Sequence, residues 1–175
     1  MNPSIQYNLI LNSINRRQKI FQEIKTNPIY KELLTIINSD SCLNKEYIIL
    51  FRYYMIKYLP EKKTKKILLE HTLLDNNNST LFNFLHKGTG HDFKEGGLIQ
   101  ICMSLDLSYA EAFDLFISCG CDLTADTPIP TLCNDVLRIY CKKDFANCLT
   151  KIIDIDEYCT KRGFPYFICK KWKKK

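Results

Sequence analysis

Glycine and proline are scarce in this chain, six of each, and no stretch alternates polar with apolar residues as a half-buried strand does. Helices are what remains. No apolar run approaches the roughly 20 residues that cross a bilayer. The opening residues, MNPSIQYNL, lack the basic and continuously apolar parts of a secretory signal. A cytoplasmic chain without a membrane partner is expected. The phosphate-loop pattern is missing too, since Lys94-Glu95-Gly96-Gly97 does not supply G-x-x-x-x-G-K-[ST]. The three histidines, His71, His86 and His91, are scattered, and His91-Asp92 has no nucleophile beside it. The chain is therefore expected not to be an enzyme.

Cysteine is abundant, with nine residues, eight of them between Cys102 and Cys169. Their spacing still argues against metal: Cys119 and Cys121 form a C-x-C, but there is no C-x-x-C pair and no cysteine–histidine cluster. In a reducing compartment they stay thiols. Most stand among apolar neighbours, as in Ile101-Cys102 and Tyr140-Cys141, which suits small core residues. Neither a cofactor nor a metal is expected.

The 175 residues suit one domain or two small ones, with 46% hydrophobic and 25% charged residues, a globular composition. A net charge of +6 and a pI near 8.8 lean moderately towards polyanions.

Along the chain, the 3.6-residue period predicts a first helix over about 4–25, with Ile10, Ile14, Phe21 and Ile24 on one stripe. Asn27 followed by Pro28 starts a second, carrying Leu33, Leu34, Ile36 and Ile37. A third, from a cap at Asn44 to Pro60, is apolar nearly all round, so it belongs at the centre of the fold or in a dimer interface. These three form an N-terminal segment, 1–60, followed by a helical domain over 61–168 and a basic tail, 169–175. In that second part a lysine-rich helix start leads through Asn76–Asn78 to a short helix that ends at Gly88, the outline of a helix-turn-helix. Next comes a helix over about 93–105 with Leu98, Ile101, Cys102 and Leu105 on one face. Ser108 and Glu111 form a capping box for a helix ending at Gly120. A loop holding Pro128 and Pro130 precedes a helix over 131–141. A last helix, 154–162, is expected to open on a box of Asp154 and Glu157 and to stop at Gly163. The fold class is all-α, a multi-helix bundle containing a helix-turn-helix module with an N-terminal helical extension.

The order of these residues resembles small helix-turn-helix proteins of the lambda-repressor-like superfamily from low-GC Gram-positive bacteria. The resemblance runs over roughly Lys62 to Ile168. It rests on Leu98, Ile101, Cys102, Leu105, Leu107, Ser108, Glu111, Ala112, Leu115 and Phe116, then Asn134-Asp135, then Gly163-Phe164-Pro165. It implies the repressor-like fold. Where that family carries a basic turn after the recognition helix, this chain has Gly88-Thr89-Gly90-His91-Asp92-Phe93.

Docked as such modules dock, the short helix would present Asn77, Asn78, Ser79, Thr80 and Asn83 to base edges. Asn can pair twice with adenine; the alternative is a solvated turn and cap. The helix has no Arg, the usual reader of guanine. Lys62, Lys63, Lys65 and Lys66, with Lys87, and Lys170 and Lys171 in the tail, either neutralise phosphates or solvate the surface. The expected function is a nucleic-acid-binding, transcription-regulator-like protein acting on double-stranded DNA, with a homodimer as one possible form. The alternative is a module that binds an acidic protein, such as a phage-encoded inhibitor of a host defence (CRISPR-type) complex.

Overall fold

A computed structural model describes residues 3–38, 45–58, 95–141 and 148–168. Among these residues there are seven α-helices and one 3-10 turn, and no strand. The helices are α1 (Pro3–Thr26), α2 (Lys31–Asn38), α3 (Lys45–Tyr58), α4 (Glu95–Ser104), α5 (Tyr109–Ser118), α6 (Pro128–Tyr140) and α7 (Cys148–Lys161). The expected all-α class holds. The helix-turn-helix outline, over 61–92, lies outside the described residues.

Local chemistry sets most of the boundaries. Asn27 caps the 3-10 turn Pro28–Tyr30, its Oδ1 accepting from the Ile29 N–H at 3.1 Å, and α2 follows directly. Ser108 and Glu111 make the expected capping box at the start of α5. Three helices end alike. After α4, α5 and α7 the chain turns through a left-handed residue, Asp106, Gly120 and Gly163, with φ of 50°, 80° and 86°. In each case the next N–H bonds back across the last turn: Leu107 to Cys102, Cys121 to Phe116 and Phe164 to Cys159, all at 3.0 Å. That is the Schellman stop.

Three expectations need correction. Pro128 and Pro130 are not in a loop; they form the first turn of α6, where missing N–H groups cost nothing. Asp154 does not cap a helix, because α7 already begins at Cys148 and Asp154 stands inside it. Its carboxylate instead accepts from the Tyr140 hydroxyl at 2.8 Å. And α4 has no solvated face of any width: Leu98 through Ser104 are all buried.

Packing explains that last point. α4 lies against α5, α6 and α7, while α1, α2 and α3 pack on one another, and α5 touches both groups. Helices before residue 58 and after residue 95 thus share a core. α3 sits deep in it, as its all-round apolar sequence requires: residues 47–51, Tyr53 and Tyr54 are buried. On the other side Val136, Leu137, Ile152, Ile155 and Cys159 are fully or almost fully enclosed.

Candidate functional site

The described residues divide unevenly by charge. They carry 12 Lys/Arg against 13 Asp/Glu, so the excess behind the chain's +6 resides in the remaining segments. The tail 169–175 alone has five lysines. Within the described residues, 3–58 hold eight basic and three acidic side chains, whereas 95–141 hold one basic and seven acidic.

Those opposite signs meet where α1 and α3 cover α5. Arg16 grips Asp114 with two bonds, Nη2 to Oδ1 at 2.7 Å and Nε to Oδ2 at 2.9 Å. The Asp114 side chain is fully enclosed and Arg16 is a third exposed. The fork geometry matches the carboxylate, which keeps a buried charge tolerable. The Arg16 pKa is raised, chiefly by its hydrogen bond to Asp114. At the far end of α3, Lys57 Nζ and the Tyr58 hydroxyl both donate to Glu111 Oε1, at 2.9 and 2.6 Å. Burial pushes the Glu111 pKa up, but hydrogen bonds from Tyr58, Lys57 and Ser108 outweigh it and hold the carboxyl below its ordinary value. Arg17 pairs with Glu46 at 2.6 Å, and the Tyr53 hydroxyl donates to Glu23 at 2.7 Å. The hydroxyls of Ser13 and Tyr54 are buried without a hydrogen-bond partner among the described residues. The pairs to Asp114 and Glu111 hold α1 and α3 to α5, and the pairs Arg17–Glu46 and Tyr53–Glu23 hold α1 to α3.

A shallow cleft of about 190 Å³ opens where α5 ends and α4 and α6 begin, lined by Glu95, Cys121, Asp122, Leu123, Pro130 and Cys133 among others. Burial pushes the Cys121 thiol up to about 11, with the Glu95 carboxylate adding to it. The Cys133 thiol is raised further by the same two causes, in the same order. Thiols held protonated are poor nucleophiles. No two of the seven described cysteines are joined to each other, and no group of three His, Cys, Asp or Glu among the described residues is arranged to hold a metal ion.

The C-terminal approach to the tail is fixed tightly. The Phe167 carbonyl crosses α4 at Gly96, 2.0 Å from where a Cβ would stand. Gln100 Nε2, buried, donates to the Ile168 carbonyl at 2.9 Å. Residues 167 and 168, after which the tail begins in the sequence, therefore lie beside the first turn of α4, which follows segment 59–94 in the sequence.

The predicted contact residues themselves are not among those described. Lys62, Lys63, Lys65, Lys66, Asn77, Asn78, Ser79, Thr80, Asn83, Lys87, Lys170 and Lys171 all lie outside the described residues. Sequence reasoning missed Arg16, Asp114 and Gly96. A partner 98 residues away leaves no local pattern for Arg16. Gly96-Gly97 inside a helix was a usable sign of close backbone approach.

No protein-family model, curated protein or solved structure matches this chain. No described helix is long and apolar enough to cross a membrane.

Proposed function

We propose that this is a non-enzymatic protein of the repressor-like helix-turn-helix kind, which binds double-stranded DNA in a regulatory role. Segment 59–94 supplies base contacts through Asn78 and Asn83, and the lysines there and in the tail neutralise phosphates. One observation carries the reading: lysines cluster at 62–66 and in the tail 169–175, while the described residues, with 12 basic against 13 acidic side chains, are close to neutral. A surface evolved only for solubility has no reason to separate its charges in this way.

The test is a titration of genomic and random duplexes at low and moderate salt. About five engaged phosphates give a log–log salt slope near −4 to −5, and each lysine lost removes about one unit. Lys170→Gln/Lys171→Gln should weaken all duplexes alike, whereas Asn78→Ala/Asn83→Ala should erase preference among them. Salt-insensitive binding, or none at micromolar protein, rejects the proposal. The second reading, a module that docks on an acidic protein, draws on the same lysines. It predicts one stoichiometric partner and no affinity for DNA.

A further inference from the structure

α1 wears much of its apolar surface on the outside. Between Gln6 and Arg17 its inward contacts are largely polar: Gln6 Nε2 donates to the Thr124 carbonyl at 2.9 Å, Ser13 is fully buried, and Arg16 and Arg17 make ion pairs. Of the apolar residues in that span, only Leu9 joins the core. Tyr7, Ile10, Leu11 and Ile14 are 67%, 37%, 41% and 38% exposed. At 3.6 residues per turn they fall within an arc of about 100°, a continuous seam one helix wide. A seam of this kind is left by a helix that has a second neighbour.

The surroundings of the seam indicate which neighbour. Residues 3–15 contain no charged side chain. A charged partner surface gains nothing there and loses its hydration. One edge is lined by amides, Asn8, Asn15 and Gln18, and the other by Arg17, whose charge is already paired with Glu46. The amides donate and accept alike, so they complement a copy of themselves. Laid antiparallel about a two-fold axis between Ile10 and Leu11, two copies set Ile14 against the other's Tyr7 and Gln18 against Pro3. Lys19 and Lys25 then fall at or beyond the end of the opposing helix, where they do not face like charge.

We infer that the outer seam of α1 seats a second copy of this chain, docked antiparallel across a two-fold axis. The paired length is about 20 Å, at 1.5 Å per residue. A strip that short belongs with weak, reversible interfaces. The inference does not depend on DNA binding.

Sedimentation of the full chain from micromolar to millimolar concentration tests it. The mass should rise from one chain towards two, and added salt should not reverse the rise, because the contact is apolar. Ile10→Asp/Ile14→Asp should stay monomeric with unchanged helical circular dichroism, since both sites already face solvent. Tyr7→Lys and Ile14→Glu should each be monomeric alone and associate when mixed, because the antiparallel register brings position 7 against position 14. These two single variants also serve if the double variant does not fold. A wild-type chain that is monomeric throughout overturns the inference, as when another segment of the chain covers the seam. So does association that survives the aspartates or dissolves in salt. Failure of the mixed pair to associate overturns the antiparallel register.

Discussion

A methyl group at Gly96 would need the space held by the Phe167 carbonyl, 2.0 Å from the Cβ position. The obstacle is backbone, so no side-chain rotation relieves it. Gly96→Ala must push residues 164–168 off α4 and break the bond from Gln100 to Ile168. Overpacking of this sort costs about 2 kcal/mol, which urea denaturation of the variant should register as a lower midpoint. Hydrogen exchange at 164–168 should rise in the folded variant; unchanged exchange there would show that the strain is taken up elsewhere. At this scale the sequence is most legible where the interaction is short-range. Ser108 with Glu111, and the stops at Gly120 and Gly163, involve partners three to five residues apart, so the pattern itself contains them. Asp154 looked like a cap by the same local rule. Tyr140, fourteen residues earlier, claims its carboxylate instead.

Among the helices, α1 depends on others in a way its own pattern hides. Its period predicted Ile10, Ile14, Phe21 and Ile24 on one buried stripe. Ile24 is buried and Phe21 partly so, but Ile10 and Ile14 face outward. The helix is turned by Arg16 and Asp114, whose pairing fixes which side meets α5. Arg16→Met removes one partner and strands a fully enclosed carboxylate, a loss of about 3–5 kcal/mol, moderated here by the third of Arg16 that water still reaches. Asp114→Leu in the same chain should recover much of that loss, because an enclosed apolar pair needs no hydration. Comparing the single variant with the double variant by denaturant unfolding decides it: a double variant no more stable than Arg16→Met would mean the pair is not what seats α1. α4 shows the reverse case. Its spacing was read as one buried face, but the nearly unbroken apolar run Leu98-Ile99-Gln100-Ile101-Cys102-Met103 leaves little polar surface, and three neighbours enclose it nearly completely.

For the whole molecule, α5 is shared property. α1 and α3 pack on one side of it and α4 and α6 on another, and the charge of 3–58 is opposite to that of 95–141. Heating should therefore unfold the described helices in one cooperative step. Tyrosine signals, which report α3 through Tyr53 and Tyr54 and the later helices through Tyr140 and Tyr158, should coincide with far-ultraviolet dichroism; two separated transitions would show that the core is not one cooperative unit. The all-α class was legible from composition and period because those are summed over the entire chain. The candidate DNA contacts were legible only as residue types, for they occupy segments outside the described residues.

The crossing of Phe167 over α4 also bears on synthesis. α4 is enclosed by α6, by α7 and by residues 167–168, every one of them made after it. On the ribosome its apolar residues therefore emerge before most of what covers them, and they wait partly exposed until Ile168 has been made. The centre of this core can close only once residues 167–168 have been made and have left the ribosome, and chaperone demand should peak in the interval before that.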